Sequence, residues 1–156
     1  MKRILSMIVT LALVIACLPV FPLEVHAVTI ASGECGDNVT WTLDDTGTLT
    51  ISGTGPMDDC DKYTADSSGN RVISRPWRQY SNQVKSAVIE DGVTYIGTNA
   101  FLQDSNLKSV KIADSVTEIG SFAFKECSSL TSISFGSGLE KTGTDVFLRC
   151  TSLKSV

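Results

Sequence analysis

The 156-residue sequence predicts a mainly β fold, in which 23-residue units with short helical or 3-10 turns stack into a solenoid behind an N-terminal β-hairpin cap. Three observations support this prediction. The second half of the chain aligns with itself at an offset of 23 residues, which is the signature of a stacked repeat. Within each unit, apolar residues alternate as they do in a strand with one buried face. Ahead of the units, two further alternating runs flank a turn.

The first 27 residues are predicted to be a secretory signal peptide. Lys2 and Arg3 precede a long apolar run, and small residues stand at the positions that precede a cut after Ala27. An alternative is lipid attachment at Cys17, because small residues also precede that cysteine. No later apolar run is long enough to cross a bilayer. We therefore expect a secreted or surface-held protein with no membrane span once the signal is removed.

The composition excludes several kinds of chemistry. His26 is the single histidine, and it lies inside the predicted signal peptide. Without it, the chain cannot form a Ser-His-Asp triad, a Cys-His dyad or a histidine-bearing metal site. Spacing alone does not exclude a pair of catalytic carboxylates, but no pair of acids in this sequence has a specific argument behind it, and the outside of a solenoid offers no deep cleft. We therefore expect no enzymatic activity, no cofactor and no metal.

The charge argues against nucleic-acid binding. Lys2, Arg3 and Glu24 leave with the signal peptide, so 13 basic and 17 acidic residues become 11 and 16, and the net charge changes from −4 to −5. A mildly acidic chain lacks the basic surface that phosphate binding requires.

Residues 28–83 are predicted to form a β segment that caps the repeats. Two alternating runs lie on either side of a turn that contains Gly47, which is the pattern of a hairpin. One face of this hairpin carries its large apolar side chains, Trp41, Leu43, Leu49 and Ile51. Because the first coil of a solenoid exposes its apolar end unless something covers it, we interpret this face as a cap and not as a ligand site.

Residues 58–75 are polar and predict a surface loop. Asp58, Asp59 and Asp61 make it acidic at its start, but they lack the spacing of a calcium-binding loop, so we interpret them as a solvated turn. Trp77 and Tyr80 follow and leave two interpretations open. They could form an exposed aromatic contact site, or they could cover the first coil, and the second interpretation is favoured.

The repeats are predicted to occupy residues 84–156, as units 84–106, 107–129 and 130–152 and a partial unit 153–156. Each unit has a strand, a glycine turn and a short helical or 3-10 turn that carries an inward phenylalanine. Thr142 stands where the other units have isoleucine. Because the chain stops inside a unit, we expect a fragment, a truncated gene product or the start of a longer array. The shared columns are Val84, Leu107, Leu130 and Leu153; Val93, Val116 and Leu139; Gly97, Gly120 and Gly143; and Phe101, Phe124 and Phe147.

These units resemble leucine-rich repeats, and more narrowly the BspA-type repeats of bacterial surface proteins. Residues 107–129 match the pattern L-x-S-V-x-I-x-x-S-V-T-x-I-G-x-x-A-F-x-x-C-x-S almost throughout. The asparagine of standard leucine-rich repeats is absent, since Gly92, Ser115 and Gly138 occupy its place. The resemblance implies a leucine-rich-repeat solenoid at the cell surface that mediates adhesion or protein binding without catalysis. An alternative is the binding or targeting region of a larger secreted hydrolase, and a third interpretation is a structural stalk.

Four cysteines remain after the signal peptide, namely Cys35, Cys60, Cys127 and Cys150. In an exported chain they permit two disulfides in three connectivities. Cys127 and Cys150 share a column, so stacking would bring their Cα atoms to about 5 Å, which a disulfide tolerates. Asp104 holds the same column in the first unit, which favours stacked free thiols there. We hypothesise a disulfide between Cys35 and Cys60.

The outward positions of the predicted strands form ladders that are candidates for binding a protein partner. The candidate residues on the strand face are Lys85, Lys108, Lys111, Ser134 and Lys154, and Trp77 and Tyr80 are added as aromatic candidates. The alternative is that the lysines and serines only keep the sheet soluble. We expect protein partners, including proteins of a host or neighbouring cell.

Overall fold

The computed structural model describes residues 26–61, 63–65, 68–69, 71–73 and 75–154. The predicted signal peptide, apart from its last two residues, lies outside these ranges, as does Cys17. The strands are β1 (Thr29–Gly36), β2 (Val39–Asp44), β3 (Thr48–Gly53), β4 (Gly55–Pro56), β5 (Tyr63–Ala65), β6 (Arg71–Ile73), β7 (Ser86–Ile89), β8 (Val93–Ile96), β9 (Ser109–Ile112), β10 (Glu118–Ile119), β11 (Ser132–Ser134) and β12 (Lys141–Thr142). We call residues 84–106, 107–129 and 130–152 coils 1, 2 and 3.

The larger sheet, the front sheet, joins the capping segment to the coils in the order β1-β2-β3-β7-β9-β11. β1, β2 and β3 are antiparallel, and β3 then pairs in parallel with β7, which begins a run of parallel strands. The registers Ser86 with Ser109 and Ser109 with Ser132 reproduce the 23-residue offset. The mainly β repeat fold and its hairpin are therefore confirmed. Strand β1, which extends the hairpin to three strands, was not predicted.

A second parallel sheet, the back sheet, has the order β4-β8-β10-β12 and lies on another side of the coils. Its strands have two to four residues each. Strand β12 of coil 3 is short, and Thr142 is exposed there, as expected from a polar residue in an apolar column. The neighbouring Leu139 is half-buried, whereas Val116 in coil 2 is fully buried.

The third side of each coil is a string of turns in place of the predicted helical or 3-10 turn. Residues in the left-handed region interrupt any helix, with φ of 59° at Asn99 and 63° at Gln103 and the same pattern in the next two coils. Backbone amides on this side donate to carbonyls of the following coil, as Gln103 does to Lys125 and Glu126 does to Leu148, both at 2.8 Å. Within the described part of the chain, the 3-10 helix that the structure contains, Arg78–Tyr80, precedes the coils.

An aromatic stack runs through the core from the cap to coil 3. Its ring centroids are 6.2 Å apart between Trp41 and Trp77, 5.2 Å between Trp77 and Phe101, 5.0 Å between Phe101 and Phe124, and 5.6 Å between Phe124 and Phe147. Trp77, Phe101 and Phe124 are fully buried. The inward direction predicted for the phenylalanine column is thereby observed in coils 1 and 2.

The glycine column of the coils has a different physical cause from the one predicted. Gly120 does not adopt a positive φ. A Cβ at Gly120 would instead lie 2.5 Å from the amide nitrogen of Thr98 in the preceding coil. Glycine is therefore required there by the close approach of two backbones and not by the conformation of a turn.

The stretch predicted as a polar loop contains the antiparallel pair β5 and β6. The segment before this pair is held to coil 1 by the Cys60 amide, which donates to the carbonyl of Thr98 at 2.8 Å. The segment after it is held by Arg75, which forms a buried ion pair with Asp104 at 3.0 Å and also donates to the carbonyl of Leu102. We call residues 58–75 the insertion, and it is thus attached to coil 1 at both ends.

Candidate partner-binding face

The outward columns of the front sheet are present as predicted from the repeat. Register pairs align Ser86, Ser109 and Ser132, and also Val88, Lys111 and Ser134. Lys111 and Ser134 are exposed, whereas Val88 is half-buried. We call this surface the front face and define it by its outward residues, Lys85, Ser86, Val88, Lys108, Ser109, Lys111, Thr131, Ser132 and Ser134.

Lysines lie along one rim of the front face, ahead of the strands. The backbone amide of Lys108 donates to the carbonyl of Lys85, and that of Thr131 donates to Lys108, so these residues stack in adjacent coils. Both lysine side chains are exposed. Lys154 belongs to the same column and is also exposed, but no strand is assigned to residues 153–154.

A groove crosses the opposite rim, where the strands of all three coils end. It has a volume of about 660 Å³ and is lined by Lys111 and Ser134 together with Glu90, Asp91 and Asp114, among others. We call it the strand-end groove. It brings together two residues that the sequence predicted, and it adds three carboxylates that the sequence reasoning missed. Comparing the columns just beyond each strand would have placed Asp91 and Asp114 side by side.

The carboxylates of the groove differ in whether they form hydrogen bonds within the protein. Asp114 Oδ1 accepts hydrogen bonds from the Ser137 amide at 2.7 Å and from its hydroxyl at 3.2 Å. Glu90 and Asp91 are exposed, and neither side chain has a hydrogen bond or ion pair with any residue that the structure describes. The front face is therefore basic at one rim, whereas at the other rim three carboxylates lie in the groove beside Lys111. Small hydroxyl side chains lie between the two rims.

The structure separates the two aromatic candidates. Trp77 is fully buried between Trp41 and Phe101 and donates from Nε1 to Asp104 at 3.4 Å. The interpretation of Trp77 as an exposed contact residue is therefore wrong, because packing against the first coil removes the whole ring from solvent. Tyr80 is half-buried against Trp41, with centroids 6.1 Å apart.

Each of the four described cysteines is buried, and none of them forms a disulfide in the structure. Cys127 and Cys150 each donate to a carbonyl of the preceding coil, Cys127 to Phe101 at 3.1 Å and Cys150 to Phe124 at 3.0 Å. A separate cavity of about 600 Å³ is lined by Cys35 and Cys60, among other residues. Among the described residues, no group of three or more His, Cys, Asp or Glu side chains is placed to hold a metal ion.

Among the acidic residues at the start of the insertion, Asp59 forms hydrogen bonds with coil 1. Asp59 Oδ1 accepts hydrogen bonds from the Thr98 amide at 2.7 Å and from the Tyr95 hydroxyl at 2.8 Å. Partial burial raises the pKa of Asp59, but these hydrogen bonds outweigh it and hold the pKa below its ordinary value of 3.8. Asp59 therefore fixes the insertion to coil 1 as an ionised group.

None of the helices that the structure describes is long and apolar enough to cross a membrane.

Comparison with known proteins identifies the repeat. A family model described as a BspA type leucine rich repeat region, with six copies, matches residues 77–156. A leucine-rich repeat protein from Eubacterium ventriosum ATCC 27560 is 25% identical, with a TM-score of 0.64 over 76% of this chain and 36% of that chain. No curated protein matches the chain.

Two further solved structures have lower structural similarity. A leucine rich cell surface protein from Faecalibacterium prausnitzii A2-165 is 25% identical, with a TM-score of 0.43 over 82% of this chain and 35% of that chain. A leucine-rich repeat protein from Bacteroides capillosus ATCC 29799 is 21% identical, with a TM-score of 0.46 over 80% of this chain and 96% of that chain. The chain thus spans about a third of the length of the proteins from Eubacterium and Faecalibacterium.

Proposed function

The chain belongs to the BspA-type leucine-rich repeat family, and from this premise we propose that it is an exported, non-catalytic module that binds a protein partner through its front face. Leucine-rich repeats act as protein-interaction scaffolds because identical positions of successive coils build one continuous surface. The predicted signal peptide supports export, and the proposed location is the cell surface or the surrounding medium. Adhesion to a host or neighbouring cell is the proposed biological role.

The observation that carries this proposal is the unused charge on the front face. Lys85 and Lys108 on the rim and Lys111 in the groove are exposed and have no ion pair with any described residue. The same holds for Glu90 and Asp91 in the groove. Charged side chains that only keep a sheet soluble do not need a regular arrangement of positive and negative groups. Here the lysines of the rim and the carboxylates of the groove are separated by about five residues of strand, which is about 17 Å. A partner with acidic and basic groups at the matching spacing would be favoured.

The proposed face is tested by charge reversal with a matched control. Lys108→Glu combined with Lys111→Glu changes the front face, whereas Lys125→Glu combined with Lys141→Glu makes the same change in net charge elsewhere. The purified wild-type protein is first used to capture a partner from extracellular protein of a neighbouring or host cell. Binding of that partner is then compared by biolayer interferometry. We expect the front-face variant to weaken binding at least about tenfold and the control to leave it within about twofold.

Equal effects of the two double variants would show that the front face is not the binding surface. Capture of no protein partner by the wild-type chain, while the chain shows its β-sheet circular dichroism, would contradict the interaction role itself.

The proposed export is tested separately. Expression with the native amino terminus is expected to give protein outside the cytoplasm that begins at Val28, as read by amino-terminal sequencing. A product that begins at Cys17 and carries lipid would support the alternative anchor. Retention of an intact amino terminus in the cytoplasm would contradict export.

A further inference from the structure

The two pairs of cysteines occupy different chemical environments. The thiols of Cys127 and Cys150 each donate to a carbonyl of the preceding coil. The two side chains also interact with each other, so stacking supplies both thiols with polar partners. Cys35 and Cys60 are equally buried, at 4% and 6% exposure, but neither thiol makes a hydrogen bond with a described residue. Because these two thiols make no hydrogen bond with a described residue, forming a disulfide would break none of the hydrogen bonds that the structure describes.

The backbone brings Cys35 and Cys60 together. The amide of Asp58 donates to the carbonyl of Cys35 at 2.8 Å, so the chain two residues before Cys60 lies directly against the end of β1. Both side chains line the same cavity of about 600 Å³. This cavity lies where the insertion leaves the capping segment, and the Cys60 amide is fixed to coil 1 there.

We propose that Cys35 and Cys60 form the disulfide of the exported protein, and that Cys127 and Cys150 stay reduced. One thiolate attacks a disulfide oxidant, such as a thiol-disulfide oxidoreductase or oxidised glutathione, and one oxidant thiolate leaves. The second cysteine thiolate then attacks the protein sulfur of this mixed disulfide and releases the other oxidant thiolate. The two cysteines lose two electrons and two protons, and the oxidant is reduced to two thiols.

The environment of the pair sets the order of events. Burial, together with the nearby Cys60 and Asp58, raises the pKa of Cys35 to about 12, and burial raises the pKa of Cys60 to about 11. Since the thiolate is the attacking species, oxidation is slow once the capping segment has closed over these groups. The bond forms while the capping segment is still open, and it then joins β1 to the base of the insertion.

The test uses the full chain with Cys17→Ala, which leaves four cysteines. The protein is unfolded under reducing conditions, refolded in a glutathione redox buffer, quenched with acid, and alkylated in denaturant. No lysine or arginine lies between Cys35 and Cys60, so trypsin leaves both in one peptide that ends at Lys62. Cleavage after Lys125 and Arg149 places Cys127 and Cys150 in two other peptides.

We expect the peptide that ends at Lys62 to be unalkylated and lighter by two hydrogen atoms, and the other two cysteine peptides to be fully alkylated. Cys127→Ser with Cys150→Ser is expected to leave this result unchanged, and Cys35→Ser with Cys60→Ser to remove all intramolecular disulfide. Alkylation of all four cysteines, or a linked pair of the Cys127 and Cys150 peptides, would overturn the proposal.

In the cell the disulfide rests on the proposed export, because oxidising conditions are found outside the cytoplasm. The refolding experiment supplies its own oxidant, so its outcome does not depend on export. The two proposals can therefore fail separately. If the protein stays in the cytoplasm but the disulfide forms in the redox buffer, the proposed function is contradicted and the disulfide is still established.

Discussion

Arg75 and Asp104 explain why the cysteine column is broken in coil 1. Coils 2 and 3 hold Cys127 and Cys150 in this column, and each thiol bonds to the coil before it. Coil 1 has the insertion in front of it, and Asp104 there binds the guanidinium of Arg75, with both side chains almost fully buried. Burial raises the pKa of Asp104, whereas Arg75 and the hydrogen bond from Trp77 act in the opposite direction. Coil 1 therefore has aspartate where coils 2 and 3 have cysteine, because only coil 1 pairs this position with Arg75.

Arg75→Met is expected to lower the free energy of unfolding by about 3–5 kcal/mol, because it leaves the Asp104 carboxylate buried without its partner. Adding Asp104→Cys removes the second charge and restores the thiol of the column. The double variant is expected to recover at least half of the loss in urea unfolding followed by circular dichroism. A double variant as unstable as Arg75→Met would show that the charge of Asp104 is not the source of the loss.

The lowered pKa of Asp59 predicts a contribution to stability that depends on pH. A carboxyl whose pKa is lower in the folded state stabilises the fold above its unfolded pKa, here near 3.8, and this contribution is lost as the pH falls through the folded value. We therefore expect the urea midpoint of the wild type to fall more between pH 7 and about pH 3 than that of Asp59→Asn. Asp44, whose pKa is also lowered, remains in both proteins as an internal reference. Identical pH dependence would show that Asp59 does not contribute.

At the scale of elements, the chain depends on glycine where it passes from the front sheet to the back sheet, for two separable reasons. Gly55 and Gly92 both have a positive φ, of 103° and 101°. A Cβ at Gly55 would meet nothing within 4 Å, whereas a Cβ at Gly92 would overlap the carbonyl oxygen of Gly53. The two positions therefore share nearly the same φ and differ in how closely a neighbouring backbone approaches them.

Gly55→Ala is expected to cost about 1–2 kcal/mol of stability from the positive φ alone. Gly92→Ala is expected to cost about 1–3 kcal/mol more, because the backbone of two turns must separate. Equilibrium urea unfolding of both variants gives the difference directly. Equal losses would mean that the turn at Gly92 relaxes without cost.

The elements differ in how far the sequence could predict them. β2 and β3 carry a clear alternation of large apolar residues, because one face of each packs on the core. β1 shows none, since Ile30 is 45% exposed and burial begins only at Cys35 and Gly36 at its end. The back sheet escaped prediction because strands as short as Glu118–Ile119 contain a single inward residue, from which no period can be seen.

At the scale of the whole molecule, the same limit applies to the candidate site. The columns of Lys111 and Ser134 were visible in the repeat, because stacking preserves the register. The strand-end groove was not, because its lining comes from three coils and its depth depends on how the chain turns away after each strand. The full burial of Trp77 likewise depends on Trp41 and Phe101, which lie 36 and 24 residues away in sequence.

Trp77 connects the cap to the coils, so its loss is expected to affect the whole fold. Trp77→Ala removes the ring between Trp41 and Phe101 and is expected to cost about 3–5 kcal/mol. Tyr80→Ala, which removes a half-buried ring beside Trp41, is expected to cost less. Differential scanning calorimetry of both variants compares them, and a larger loss for Tyr80→Ala would contradict the proposed stack.

The hydrogen bonds between the turns on the third side of the coils also align peptide dipoles along the solenoid. The carbonyl of Leu102 and the amide of Gln103 belong to one peptide group, and this group is joined through Lys125 and Glu126 to Leu148 in a single chain of aligned peptide dipoles. The negative end of this chain points toward the cap, and the guanidinium of Arg75 is the group that meets it. A cation at that end is stabilised by all the coils behind it, so Arg75 acts for the array as a basic residue acts for the carboxyl end of a helix.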